Sequence, residues 1–283
     1  AIGLVDRYLT EKRNPFVVEL GSNDGSFLQV IQQCNVRVLG VDPAEHLAQR
    51  AAESGIETLA DYFCLNIGKK VRDQYGLADV IVANSTLANI HDLASAMWGI
   101  KHLLAPDGVF CLETNYALDI FSTHLLETVN HEHISYFSVR SLALLCEYHQ
   151  LELIECQHQL SKGGSIRCVV QHVGGSRVRS RDIQEMIAKE EDSGLFKDVL
   201  FENWKNHFEV IKAELAIQLG QVIAEGKEIG GYGTSIGATI YMYQLGIAEQ
   251  LSVLVDDDPY RQGRFSPGAH IPVIGKEEFL NRM

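Results

Sequence analysis

Two histidines flank a carboxylate at His131, Glu132 and His133, with Asn130 before them and Tyr136 three residues further on. Imidazole titrates near neutrality, so it suits taking a proton from a weak acid, and a neighbouring carboxylate can orient it. His-Glu-His lacks the H-E-x-x-H spacing of zinc proteases, so no metal is expected here. On a strand His131 and His133 would point to opposite faces, and only one would meet a substrate. The alternative is that one or both make structural hydrogen bonds only. A second set of polar residues is Glu19, Asp42, Asp61, Asn84 and Glu113, each at the end of an apolar run. Ligands of open α/β sheets collect at strand carboxyl ends, so five such positions point to one binding edge.

The elements that must position these residues alternate. Residues 17–20, 36–41, 56–59, 78–83 and 109–112 read as short apolar strands, and 44–54 and 87–104 as helices between them. Pro43 suits a first helical turn, and Pro106 with Gly108 stops the later helix. The expected fold is α/β: a Rossmann-like domain over 1–175, then a smaller Rossmann-like α/β domain over 176–283. At 283 residues, 46% of them hydrophobic, the chain has material for two cores.

The first strand runs into Gly21, Ser22, Asn23, Asp24 and Gly25, and Phe27 and Leu28 then open a helix. This glycine-bounded turn lets a ligand approach the backbone. Its spacing is not G-x-G-x-x-G, which argues against a nicotinamide cofactor. Glu19 and Asp24 would receive a pyrophosphate poorly and suit a ligand carrying positive charge. S-adenosylmethionine, with an ammonium and a sulfonium, is such a ligand. Asp42 follows the turn at the expected ~20 residues for a ribose-binding acid; capping the helix after Pro43 is its other reading. Asp61 and Phe63, after the third strand, are placed on the adenine, although Phe63 also reads as core. The alternative for the whole turn is an ordinary strand–turn–helix corner.

Residues 151–158 and 165–172 read as two further strands, and 182–225 as largely helical with a break near Ser193 and Gly194. A strand at 228–232, a second glycine turn and a helix at 238–245 follow, then a strand at 251–255 that ends in Asp256, Asp257 and Asp258. In this turn Gly233, Thr234 and Ser235 would hold a phosphate at a helix start, with Arg261 and Arg264 adding charge. A packing turn without a ligand is the alternative.

A net charge of -13 argues against a nucleic-acid binder or a polybasic membrane protein. No apolar run is long enough for a membrane helix. Six scattered cysteines without C-x-x-C spacing read as reduced thiols in a cytoplasmic protein. Position 1 is not Met, which suggests a trimmed chain.

Taken together, the motifs resemble the S-adenosylmethionine-dependent sugar C-methyltransferases, which act on nucleotide-linked 4-keto-deoxysugars. The matching stretches are Glu-Leu-Gly-Ser-Asn-Asp-Gly at 19–25, Ala-Asp-Val-Ile-Val-Ala-Asn at 78–84, His-Glu-His-Ile-Ser-Tyr-Phe-Ser at 131–138 and Gly-Gly-Ser-Ile-Arg at 163–167, with a late block at 256–273. The resemblance implies S-adenosylmethionine as methyl donor and a nucleotide-linked sugar as acceptor. By position, it makes His133 the base that removes a proton beside the sugar ketone, Glu132 its neighbour, and Asn130, Tyr136 and Lys162 contacts of the sugar. The sequence departs from the family pattern in four places. Asn130 stands where Tyr is usual, Asn89 where His is usual (with His91 two residues later), Lys162 where His is frequent, and Ile236 where Lys is frequent. Asparagine cannot transfer protons near neutrality, so these departures raise two rivals: O- or N-methylation, and a non-catalytic binding protein on the same fold. The family also carries a cysteine-rich zinc domain of which no trace appears here, consistent with a shortened chain.

Overall fold

The structure is a computed structural model that describes residues 1–160 and 163–282. It divides into two compact units, residues 1–119 with 134–193, and residues 120–133 with 194–283.

The first unit is built on β1 (Phe16–Leu20), buried along its whole length, as an apolar run in mid-sheet must be. After the short α1 (Ile2–Tyr8), the chain alternates through β1, α2 (Ser26–Gln32), β2 (Arg37–Val41), α3 (Glu45–Glu53), β3 (Thr58–Leu59), α4 (Leu65–Tyr75), β4 (Ala78–Asn84), α5 (Leu93–Leu103) and β5 (Leu104–Asn115). Then come α6 (Ala117–Ser122), α7 (Val139–Tyr148), β6 (Leu151–Gln159), β7 (Ser165–His172) and α8 (Asp182–Asp192). One seven-stranded sheet results, in the order β3-β2-β1-β4-β5-β7-β6. All neighbours are parallel except β7, which runs antiparallel to β5 and β6. The order reverses between β1 and β4, and the parallel strands end there in Glu19, Asp42 and Asn84. On one face Val17, Val80, Val82, Val109 and Val169 pack with Leu28 and Ile31 of α2 and with Val5 and Leu9.

Three local expectations change. The helix expected over 87–104 is a 3₁₀ turn at Leu87–Asn89 followed by α5, because Asp92 accepts the Ser95 N–H (2.9 Å) and starts a new helix. Strand β5 is longer than 109–112: it passes Pro106 where the register slips between Ala78 and Val80, a bulge where proline's missing N–H costs nothing. The boundary lies at 193/194 rather than at 175/176, since α8 belongs to the first unit. Glu190 of α8 is fully buried and accepts the N–H groups of Val139 (2.6 Å) and Arg140 (3.1 Å) at the start of α7.

The second unit carries α9 (Asp198–Ala224), β8 (Gly230–Tyr232), α10 (Ile236–Gln244), β9 (Val253–Val255), β10 (Val273–Ile274) and α11 (Lys276–Arg282). Its three strands are parallel, in the order β10-β9-β8. A small core of Met242, Leu254, Ile271 and Val273 lies on them, with Val253, Val255 and Ile274 in a second cluster. Segment 120–133 joins this unit through its side chains. Phe121 meets Phe201 at 4.7 Å and Trp204 at 5.8 Å between ring centres, and the Tyr241 hydroxyl donates to Glu127 Oε2 (2.5 Å).

Candidate active site

The first glycine corner is held by side chains at the ends of β1, β2 and β4. Gly21 takes φ +70° and its N–H donates to the Val41 carbonyl (2.8 Å). A Cβ there would lie 2.3 Å from Thr86 Oγ1, so only glycine fits. Asp42 holds the backbone on both sides: Oδ2 accepts the Asn23 N–H and Oδ1 the Ala44 N–H, each at 2.9 Å. Each oxygen retains a further lone pair for a hydroxyl. Asp24 accepts the backbone N–H (3.3 Å) and the hydroxyl (2.5 Å) of Ser26, and that hydroxyl above all lowers its pKa. Gly25, at φ +78°, leads into α2.

Glu19 is the unusual member. It is only 4% exposed; Oε1 receives the Asn84 amide at 3.4 Å, while Oε2 has no partner among the described residues. Burial pushes its pKa up to about 8; the Asn84 bond works against the rise and the nearby Asp42 adds to it. The Ser22 hydroxyl is likewise buried without a partner. Asp61 is exposed and accepts the Tyr62 N–H (2.8 Å). Phe63 packs into the core, and the exposed ring of this turn belongs to Tyr62.

Glu19 shares its face of the sheet with a polar row that motif reasoning left unassembled. Glu19 is in register with Val82, which continues through Cys111 and Val169 to Glu155. Two residues on, Asn84, Glu113, Arg167 and Gln157 are in register across β4, β5, β7 and β6. Arg167 donates to Glu113 Oε2 from Nε (3.0 Å) and Nη2 (2.7 Å), and the Ser165 hydroxyl donates to Oε1 (3.1 Å). Together with Arg7, Tyr8 and Phe27, this row lines a cavity of about 430 Å³. The signal for it was present in the period-two alternation of four strands, whose pairing a single sequence does not reveal.

The histidine block is a turn, not a strand. Asn130 Oδ1 accepts the N–H groups of Glu132 (3.0 Å) and His133 (3.3 Å), and its amide nitrogen reaches the carbonyls of Glu127 (3.4 Å) and Thr128 (3.5 Å). Asn130 is therefore the scaffold of the turn. His133 Nδ1 lies 2.7 Å from the Thr128 carbonyl. A carbonyl only accepts, so in the neutral ring Nδ1 carries the proton and the lone pair is on Nε2. His131 and Glu132 are exposed, and Asn89 and His91 lie on the exposed loop after β4. His133 and Asn130 belong to the second unit and Tyr136 to the first. In the first unit Ile134 and Ser135 donate their N–H groups to the Ala88 carbonyl (2.9 and 3.0 Å).

In the second glycine corner the groups expected for a phosphate are already engaged. Asp256 accepts the Thr234 N–H (2.8 Å) and also its hydroxyl, and Arg261 approaches the same oxygen (3.3 Å). Chiefly through the Thr234 hydroxyl, Asp256 is held down at about 2. The Ser235 hydroxyl caps α10 through the Ala238 N–H (3.1 Å). Gly233 takes φ +99°, and a Cβ there would meet nothing within 4 Å, so the turn is open on that side. Arg264 sits in an exposed turn, where its carbonyl accepts the Val273 N–H (2.9 Å). Lys162 lies outside the described residues.

Comparison with known families gives two matches along the chain. Residues 1–156 match a methyltransferase domain, and residues 160–283 match a C-methyltransferase C-terminal domain. The chain belongs to the methyltransferase-domain family, and its C-terminal part is similar to the C-terminal domain of C-methyltransferases. It is 31% identical over 278 residues to the C-methyltransferase NovU of Streptomyces niveus, an alignment covering 98% of this chain and 64% of that relative. Among solved structures, a SAM-dependent methyltransferase from Anabaena variabilis is similar at 16% identity and a TM-score of 0.48 over 60% of this chain and 83% of its own. The PH0226 protein of Pyrococcus horikoshii is similar at 14% identity and a TM-score of 0.48, over 60% of this chain and 86% of its own.

Membership of this family brings S-adenosylmethionine as cofactor, and the first corner is where its fit is read. The residues fit it. A buried carboxyl with an oxygen unpartnered among the described residues at Glu19 suits a cationic group, and a strand-end carboxylate at Asp42 has lone pairs left for ribose hydroxyls. Among the described residues no helix is long and apolar enough to cross a membrane.

Proposed function

We propose that the chain transfers a methyl group from S-adenosylmethionine to a carbon beside the ketone of a nucleotide-linked keto-deoxysugar. The acceptor class is that of the family its motifs resemble. When bound, S-adenosylmethionine supplies an electrophilic methyl group on a sulfonium. A hydrogen on carbon beside a ketone is too weakly acidic for water to remove at neutral pH, so a positioned base is needed. The observation that carries the reading is the Thr128 carbonyl at 2.7 Å from His133 Nδ1. It fixes the tautomer with the lone pair on Nε2. Nε2 then takes the carbon-bound proton, and the carbonyl accepts the Nδ1–H of the imidazolium that forms. In this reading Glu132 favours the imidazolium by its charge, Tyr136 contacts the sugar, and the second unit binds the nucleotide. The free cysteines suit a reducing compartment, and a cytoplasmic location belongs to the same proposal.

Solvent-deuterium exchange tests it. With the keto sugar nucleotide and S-adenosylhomocysteine, the chain should wash deuterium into the position beside the ketone, and His133→Ala should stop the exchange while keeping S-adenosylhomocysteine affinity. Methylation without exchange would favour transfer to oxygen or nitrogen. Exchange unchanged in His133→Ala would remove His133 from the reaction.

A further inference from the structure

The turn that carries His133 rests on a helix of its own unit. A 3₁₀ turn at Leu126–Thr128 precedes the histidine block, and the Thr128 hydroxyl closes it on the Leu125 carbonyl (2.7 Å). Two carbonyls of this turn hold the block: that of Glu127 accepts the Asn130 amide (3.4 Å), and that of Thr128 lies 2.7 Å from His133 Nδ1. The place of the turn therefore decides the place of the imidazole.

The Glu127 side chain lies along one face of α10. Its Oε2 accepts the Tyr241 hydroxyl at 2.5 Å. Its Cβ lies only 2.9 Å from where a Cβ on Gly237 would stand. Gly237 and Tyr241 are four residues apart, neighbours on one helical face. The atom that Gly237 meets is a Cβ, fixed by the backbone, and not the free end of a side chain. Carbon atoms rest ~3.5–4.0 Å apart, so a side chain at 237 would push the turn outward by about 0.5–1 Å. The Tyr241 phenol is pushed up to about 12, first by burial and then by the bond to Glu127, so it remains a donor through the neutral range. Met242, the next residue, is buried with Leu254 and Val273 and anchors α10 on the second sheet.

We propose that Gly237 and Tyr241 are positioning residues for the base: α10 grips Glu127 at both ends of its side chain and so fixes the carbonyl that holds His133 Nδ1. The inference rests on the reading of His133 as the base. It adds that the base is placed by the helix that leads out of the second glycine corner.

Two measurements on the full chain separate positioning from mere support. NMR of ring-labelled histidine in alkaline buffer reads the tautomer without any substrate, with the His133 signals assigned by their loss in His133→Ala. The parent should show the Nδ1–H form of His133 alone, and Gly237→Ala and Tyr241→Phe should each bring in the Nε2–H form. Deuterium exchange beside the ketone of a thymidine diphosphate 4-keto-deoxysugar, with S-adenosylhomocysteine present, reads the consequence. Its maximal rate should fall about 10- to 100-fold in Gly237→Ala, the worth of a misplacement of up to about 1 Å. The half-saturating concentration of the sugar nucleotide should stay within about two-fold. Alanine favours a helix over glycine, so the substitution gives α10 no intrinsic reason to unfold. Should the clash prevent folding, Tyr241→Phe keeps the ring, removes only the hydroxyl, and carries the same test. The Nδ1–H form retained in both variants, with exchange within about two-fold of the parent, would overturn the assignment whatever the urea midpoint does. A parent whose His133 is not in the Nδ1–H form, or a His133→Ala that exchanges like the parent, would instead remove the reading of His133 itself.

Discussion

Binding of the methyl donor should release a proton, and Glu19 is its source. The carboxyl sits at about 8 against an ordinary value of 4.5, raised first by burial. At pH 7 it is therefore about nine-tenths protonated. A cationic group brought beside it stabilises the ionised form and drives the proton off. The enthalpy of S-adenosylhomocysteine binding at pH 7 should then vary with buffer ionisation enthalpy with a slope of about 0.9 protons released, falling to about 0.1 at pH 9. Glu19→Gln should abolish the slope. The same group sets a stability trend whose sign follows from its direction. Between 4.5 and about 8 the folded chain binds the proton and the unfolded chain does not, so stability is full below 4.5 and declines as pH rises through that window. At ~1.4 kcal/mol per pH unit the interval amounts to about 5 kcal/mol at most. Glu19→Gln should therefore be more stable than the parent at pH 8 to 9 and lack this decline in a urea titration. A binding enthalpy independent of buffer in the parent chain would refute the reasoning, because it would mean that Glu19 does not change its protonation beside the ligand.

Two further predictions concern the supports of the site. Glu190→Gln keeps one acceptor for the two N–H groups at the start of α7 and removes the charge, and should destabilise the first unit by about 2–3 kcal/mol, read from the urea midpoint. Asn130→Asp retains an acceptor for the Glu132 and His133 N–H groups and should keep deuterium exchange within a few-fold. Asn130→Ala releases the turn, costs about 1 kcal/mol, and should slow exchange at least about tenfold. Equal rates in the two variants would show that the turn does not position His133.

Local patterns carried much of the fold into view. The parallel strands are apolar runs, and the helix break expected at Ser193 and Gly194 lies between α8 and α9. What stayed hidden depends on pairing. Glu190 reads as one more charge on a polar helix, and only the packing of α8 turns it into the buried cap of α7 and moves the unit boundary. Pro106 reads as a stop, yet a bulge in the neighbouring register lets β5 run through it. The link between Glu113 and Arg167 joins residues 54 positions apart on antiparallel strands, which no local motif contains. The histidine spacing allowed a strand, whereas the side chain of Asn130 imposes a turn by competing for the backbone N–H groups.

The two glycine corners clarify why one of them suits a cation. Both use the same three bonds. Gly21 donates to Val41 and Gly233 to Val255; Asn23 donates to Asp42 and Thr234 to Asp256; Ala44 and Asp258 donate to the second oxygen of the same carboxylates. The second corner reaches its aspartate one residue sooner, from Thr234. The geometry of the turn therefore does not distinguish the ligands. The side chain two residues before the first turn glycine does. In the first corner that residue is Glu19, a buried carboxyl with a free oxygen; in the second it is Gly231, where a Cβ would already lie 2.6 Å from Leu254 Cδ2. A side chain at Gly231 would first have to displace Leu254, so the second corner carries no acid at the position where the first carries Glu19.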